Sequence, residues 1–211
     1  MIDSAYNLVE KAKEFRNSGE LLRAGDMYTA AAHEYAGTVT GHSFPAPDNT
    51  NGAVSRLRYA ATCYRLRGDE YRVQNRCELG TLLADDYLTY IDSLEFAPGS
   101  FADLRRGAWP EFIGDLRTIA QRDDAADAYD QARSIYASAG EWEFVLGEQE
   151  HMRLAGFFRN VRTGLGHDIP ADAIEEQAPG PTFVDWIDYK RDRLPELLDQ
   201  LEKQGEWPSE Q

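Results

Sequence analysis

The sequence predicts an all-α protein built from antiparallel helical hairpins. Apolar residues recur at the three- and four-residue spacing of helices along most of the chain, and no convincing run alternates apolar and polar residues. A pattern of small and aromatic residues also recurs in three segments at matching spacings. With 211 residues, the chain is long enough for one domain with a hydrophobic core.

Glycine, proline and capping residues separate the predicted helices. Gly19 and Gly68 stand between paired helices, where a left-handed backbone costs glycine little. Thr182, with Asp185 three residues later, predicts a capping box at the start of the last helix. Pro110 indicates the first turn of a helix or a kink. The predicted helices span residues 3–18, 20–36, 53–67, 69–93, 101–120, 123–139, 141–163 and 183–203.

The predicted helices divide into a repeat domain and a terminal helix that belongs to the same domain. Residues 1–163 form the predicted helical-repeat domain, and residues 183–203 form a C-terminal helix that caps its last apolar groove. A detachable amphipathic helix that binds a partner is the alternative for this last segment. Residues 164–182 contain three prolines and three glycines and are predicted to be a loop, as are residues 37–52 and 97–100.

Three segments share one arrangement of large, small and aromatic residues. In each, a large residue opens the pattern on the first helix, and the second helix contributes a further member sixteen positions later. Small residues let antiparallel helices approach closely, while aromatic residues fill the groove to the next hairpin. The matching residues are Leu8, Ala12, Phe15, Ala24, Tyr28 and Ala31, then Leu57, Ala60, Ala61, Tyr64, Val73, Cys77 and Gly80, then Trp109, Phe112, Ile113, Leu116, Ala125, Tyr129 and Ala132.

This arrangement resembles the tetratricopeptide repeat superfamily over roughly residues 5–140. It is more loosely similar to the soluble NSF attachment proteins, which share the run formed here by Tyr28, Ala31, Ala32 and Tyr35. The resemblance implies a right-handed array of stacked hairpins, degenerate here because the repeats start about 50 residues apart instead of about 34. It also implies a concave face, formed by the first helices, that binds peptides. A generic helical bundle is the alternative.

The chain is strongly acidic, and its bases are almost all arginine. Asp and Glu number 37 against 22 Lys and Arg, which gives a net charge of −15, and only four of the bases are lysines. This composition resembles that of extreme-halophile proteins, whose carboxylate-rich surfaces stay soluble at high salt; an ordinary acidic protein is the alternative. The charge argues against binding to nucleic acids or anionic membranes.

A cytoplasmic location is predicted from the absence of targeting signals. Residues 1–4 include no basic or apolar segment of a secretory signal, and no apolar run approaches the length of a membrane span. Cys63 and Cys77 fall inside predicted helices and are interpreted as buried, reduced thiols. A disulfide across a helical hairpin is the alternative.

The candidate binding site is a group of arginines in residues 53–77, which hold six arginines against two acids. Arginine side chains suit carboxylates, including those of an acidic peptide. Salt bridges with neighbouring helices of the same chain are the alternative. Carried over from the superfamily, the concave positions are Lys13, Arg16, Asn17, Arg58, Thr62 and Arg65, with Val9 as an apolar contact.

The sequence therefore predicts a non-enzymatic protein-interaction module, without cofactor or metal, that binds an acidic peptide or protein segment in a concave groove. No nucleotide-binding loop or nucleophile motif occurs in the chain. A structural subunit of a larger assembly is one alternative. A helical-bundle metal protein or enzyme is another, because Glu148 and His151 form the Glu-x-x-His motif that appears twice in di-iron bundles.

Overall fold

The computed structural model describes residues 2–37, 47–93, 101–140, 149–166 and 182–207, and it confirms the all-α prediction for them. These ranges contain eight helices, whose boundaries agree with the predicted ones to within a few residues except at the start of the third helix, and the predicted start of the seventh lies outside the described residues. They are α1 (Ile2–Asn17), α2 (Leu21–Gly37), α3 (Pro47–Arg65), α4 (Glu70–Asp92), α5 (Phe101–Ile119), α6 (Ala125–Ala139), α7 (Gln149–Gly164) and α8 (Phe183–Gln204).

Two predictions about helix ends were wrong. Helix α3 begins at Pro47, so residues 47–52 are helical and not part of a loop. Proline suits a first helical position, because the backbone N–H that it lacks would have no acceptor within the helix there. Pro110 lies in the interior of α5 and not in its first turn. The predicted loop 97–100 and residues 141–148 lie outside the described residues.

The capping box at the start of α8 is confirmed. The hydroxyl of Thr182 accepts a hydrogen bond from the backbone N–H of Asp185 at 3.2 Å, and the Asp185 carboxylate accepts one from the backbone N–H of Thr182 at 3.1 Å. At the other end, Gly205 adopts φ 73° and closes the helix in a left-handed conformation that favours glycine.

Each helix from α1 to α5 packs against the next along the chain. Turns of a few residues connect α1 to α2, α3 to α4 and α5 to α6, and the two helices of each connected pair pack against one another. Glycine permits two of the close contacts. A Cβ on Gly25 would lie 2.7 Å from the ring of Tyr64, and one on Gly114 would lie 2.6 Å from the ring of Tyr129.

Burial follows the small and aromatic pattern of the sequence. Most of its members are buried, including Ala12, Ala24 and Ala31 in the first segment, whereas Ala125 of the third is partly exposed. Cys63 and Cys77 are buried free thiols. No helix in the described part of the chain combines the length and the apolar character needed to cross a membrane.

Helices α3 and α5 lie at the centre of the molecule. Of residues 50–66, all but Arg56 are buried, and residues 107–116 are buried without exception. The two helices contact one another, α7 packs against both, and α8 packs against α5, α6 and α7. The face of α3 and α5 that would line the groove of an open array is therefore covered by helices of the same chain.

Candidate functional site

Three of the predicted groove residues occupy one face of α3. Arg58, Thr62 and Arg65 follow the spacing of a helical stripe, and their side chains reach α5, α7 and α8. The register carried over from the superfamily therefore places them on a common face. The expectation of an open groove was wrong for these residues, because α7 and α8 cover that face and leave all three side chains buried.

Arg58 is the most enclosed of the three. Its guanidinium forms a salt bridge with the carboxylate of Asp115 on α5, and neither side chain has any exposed surface. Its second terminal nitrogen donates a hydrogen bond of 3.0 Å to the backbone carbonyl of Arg153 on α7. The rings of Phe112 and Phe157 lie 4.4 Å and 4.7 Å from the guanidinium carbon. Arg58 therefore already has the carboxylate that a partner was expected to supply.

A buried lysine completes a cluster of four charged groups. The ammonium of Lys190 on α8 lies 2.8 Å from Oε1 of Glu111 and 2.8 Å from Oδ1 of Asp115. All three side chains have no exposed surface. With Arg58, the cluster holds two cations and two carboxylates, so its formal charge is zero. Burying an unpaired charge costs several kcal/mol, and pairing offsets that cost.

Neutral donors satisfy the remaining carboxylate oxygens of this cluster. Tyr136 donates to Oε2 of Glu111 at 2.7 Å, Trp186 donates to Oε1 at 2.9 Å, and Tyr129 donates to Oδ1 of Asp115 at 2.9 Å. Burial, followed by the neighbouring carboxylates, raises the pKa of both tyrosines well above its usual range. The hydroxyls therefore stay protonated and keep donating. The arrangement ties α3, α5, α6, α7 and α8 together.

Arg65 binds an acidic segment, but one of its own chain. Its guanidinium donates to Asp199 and, at 2.8 Å, to Glu202, two carboxylates three residues apart on α8. The same side chain also approaches the backbone carbonyls of Thr118 and Ile119 at the end of α5, at 3.3 Å and 3.4 Å. Arg65 therefore forms internal salt bridges, which was the alternative to partner binding that the sequence left open.

Among the described residues, none of the other expected groove residues pairs with a carboxylate of another helix. Thr62 is buried and donates its hydroxyl to the backbone carbonyl of Arg58 at 2.9 Å, a bond within α3. Lys13 is exposed and pairs with Glu10 at 2.7 Å, and Asn17 is exposed at the end of α1. Only Arg16, 4% exposed, combines burial with the absence of a carboxylate partner among the described residues. The six residues do not form one groove.

The Glu-x-x-His alternative is only partly visible, because Glu148 lies outside the described residues. His151 is buried between Tyr136 and Phe183, with ring centroids 6.0 Å and 4.6 Å away. Burial lowers the pKa of His151 to about 4. The neighbouring Glu150 accepts a hydrogen bond of 2.8 Å from Arg105. Within the described ranges, no three His, Cys, Asp or Glu side chains group together as metal ligands.

Sequence reasoning missed the acidic and aromatic members of the charge cluster. Glu111 and Asp115 stand four residues apart and share a helix face, a spacing that was available in the sequence. Lys190 is one of only four lysines in an arginine-rich chain, yet it sits among charged neighbours that indicate a solvated surface.

Comparison with family models, curated proteins and solved structures finds no match to this chain.

Proposed function

We propose that this chain is a non-enzymatic protein-interaction module that binds an acidic segment of a partner protein. In this proposal the helices form a degenerate, right-handed array like that of tetratricopeptide proteins. The hairpins α1–α2, α3–α4 and α5–α6, and the contact between α3 and α5, support such an array. The burial of small residues such as Ala31 and Ala61 where helices meet is further support.

One observation carries the proposal: an arginine of α3 holds two carboxylates from successive turns of a single helix. Asp199 and Glu202 on α8 both bind Arg65, whose side chain is 5% exposed. A shielded guanidinium keeps such a contact at high salt better than an exposed pair does, because solvent ions reach it less easily. The same chemistry would recognise a partner helix with acidic residues three or four positions apart.

A partner must bind outside the face covered by α7 and α8. The charge cluster around Lys190 anchors α8 through fully buried contacts, and withdrawing that helix would leave Glu111 without its cation and Asp115 with Arg58 alone. Leaving a buried charge unpaired costs roughly 3–5 kcal/mol. We therefore treat α8 as a fixed part of the domain and not as a detachable ligand.

A peptide-binding measurement tests the proposal. Fluorescent 16-residue peptides with acidic pairs at helical spacing would be titrated with the full chain, in low and in molar potassium chloride. Counterparts with Gln and Asn in place of Glu and Asp serve as matched controls. Saturable binding of the acidic peptides, at least ten-fold tighter than that of their amide counterparts, is the expected result. Equal or undetectable binding of both sets would favour a structural subunit instead.

A further inference from the structure

Arg16 and Arg56 differ from the arginines of the covered face because neither has a carboxylate partner among the described residues. The chain carries 37 acids, so unpaired arginines are not explained by a shortage of carboxylates. The Nε atoms of both are buried without a hydrogen-bond acceptor, as is that of Arg58, but Arg58 also has a carboxylate partner. Arg56 is also the one residue between positions 50 and 66 that is not fully buried, so it marks a gap in the covering of α3.

Both guanidinium groups lie over aromatic rings of one stack. The carbon of the Arg16 guanidinium lies 4.9 Å from the ring centroid of Trp207, and that of Arg56 lies 5.9 Å from the ring of Tyr59. The two rings are nearly parallel, with an interplanar angle of 8° and centroids 5.5 Å apart. Cation–π contact holds a guanidinium by its face, and its N–H groups point outward from the edge. Arg56 is partly exposed and Arg16 is 4% exposed, so a carboxylate would reach the N–H groups of Arg56 first.

One asparagine fixes the position of both rings. The side chain of Asn160 on α7 donates a hydrogen bond of 2.7 Å to the hydroxyl of Tyr59, and its backbone carbonyl accepts one of 2.9 Å from the indole of Trp207. Phe157 packs edge-on against both rings. The surface under the two arginines is therefore rigid before any ligand arrives, which lowers the entropy lost on binding.

The charges of Arg16 and Arg56 both act on the same side chain, that of Tyr28. Burial raises the pKa of Tyr28, and the charges of Arg16 and Arg56 both oppose that rise. The ring of Tyr28 lies 5.2 Å from that of Tyr59, within the same aromatic group. Two cations thus lie near one region, and neither pairs with a carboxylate among the described residues. Desolvated cations of this kind favour binding of an anion.

We infer that Arg16 and Arg56, over the stacked rings of Trp207 and Tyr59, form the site that binds carboxylates of the acidic partner segment. This inference rests on the proposed function and assigns it a place on the surface. The pairing of Arg65 with Asp199 and Glu202 provides the chemical precedent within this chain. The occupant is an acidic protein segment, because carboxylates are the anions that the buried arginines Arg58 and Arg65 bind elsewhere in this chain.

Substitution of the two arginines tests the site by fluorescence anisotropy with the full chain and the acidic peptides described above. Arg16→Gln and Arg56→Gln should each weaken binding about ten-fold, and together by about a hundred-fold. Arg23→Gln is the matched control, because it removes the same charge and Arg23 also stacks on a ring, that of Phe15 at 3.9 Å. Unlike Arg16 and Arg56, Arg23 already pairs with a carboxylate, that of Glu20. That control should change affinity less than two-fold. Because Arg16 is nearly buried, its variant could unfold; the partly exposed Arg56 then decides the outcome, with Arg56→Lys expected to retain part of the affinity.

The possible results separate the site from the proposed function. Acidic peptides that bind the parent and both arginine variants equally would overturn the site and leave the interaction module standing. Failure of every acidic peptide to bind the parent would overturn both. A single-stranded oligonucleotide that competes for the site more strongly than the acidic peptides would show that it recognises phosphate and not carboxylate.

Discussion

The ammonium nitrogen of Lys190 lies 2.8 Å from Oε1 of Glu111, and neither side chain has any exposed surface. Lys190 comes from the last helix of the chain and Glu111 from a central one, so this contact fixes α8 against α5. The same ammonium reaches Asp115, which in turn binds Arg58 on α3. The position of the C-terminal helix therefore depends on charged groups that are buried away from solvent.

Lys190→Met should destabilise the fold by roughly 3–5 kcal/mol, because it leaves the buried carboxylate of Glu111 without a cation. The free energy of unfolding from urea titration measures this loss. Lys203→Met, on the exposed side of the same helix, is the matched control and should stay within about 0.5 kcal/mol of the parent. Adding Glu111→Gln to Lys190→Met should recover part of the stability, since it removes one unpaired charge. A single variant as stable as the parent would mean that the cluster is hydrated and not dry.

Two glycine substitutions should shift stability in opposite directions. Gly114→Ala places a Cβ 2.6 Å from the buried ring of Tyr129 and should destabilise by about 1–3 kcal/mol through overpacking. Gly156→Ala on α7 meets nothing within 4 Å and should stabilise by about 0.5–1 kcal/mol, because alanine favours a helix more than glycine does. Thermal unfolding followed by circular dichroism compares the two. A Gly114→Ala variant at least as stable as the parent would contradict the packing described between α5 and α6.

Stability should fall as the pH is lowered from about 6.5 to 4. Burial lowers the pKa of His151 to about 4 from an ordinary value of 6.5. In this window the unfolded chain binds a proton that the folded chain does not, so acid favours unfolding. The loss from this one group at pH 4 is roughly 3 kcal/mol.

The variant that tests this effect is His151→Phe, which replaces the ring with one that cannot be protonated beside Phe183. The free energy of unfolding of His151→Phe should depend less on pH between 6.5 and 4 than that of the parent. His33→Gln, at an exposed position, serves as the control and should leave the slope unchanged. Identical slopes for all three proteins would rule out His151 as the cause.

Added salt should raise the melting temperature. The net charge of −15 makes the compact chain repel itself, and screening weakens that repulsion as the Debye length falls to about 3 Å at 1 M. Most of the gain should therefore appear below about 1 M potassium chloride, and an equal concentration of sucrose should not reproduce its steep onset. A melting temperature that is flat or falls over this range would count against a halophile-like surface.

The sequence by itself determined the local structure of this protein. Helical periodicity, Thr182 with Asp185, and the glycines that follow helices act between residues a few positions apart, so their effects could be predicted without knowing which helices meet. The same holds for Tyr28 and Ala31, whose size and apolar character favour burial in any packed arrangement. Pro47 is an exception, because proline fits both a loop and a first helical turn and its neighbours gave no further signal.

The tertiary structure alone decided which charges are buried and which face is open. Arg58 and Arg65 look alike in the sequence to arginines that face solvent, and their partners Asp115 and Asp199 lie 57 and 134 residues away. Whether a charged side chain is paired depends on what the chain brings within about 4 Å of it, and helix periodicity carries no information about contacts at that separation. The common face of Arg58 and Arg65 could thus be predicted from their spacing on α3, but its coverage by α7 and α8 follows only from how the helices pack.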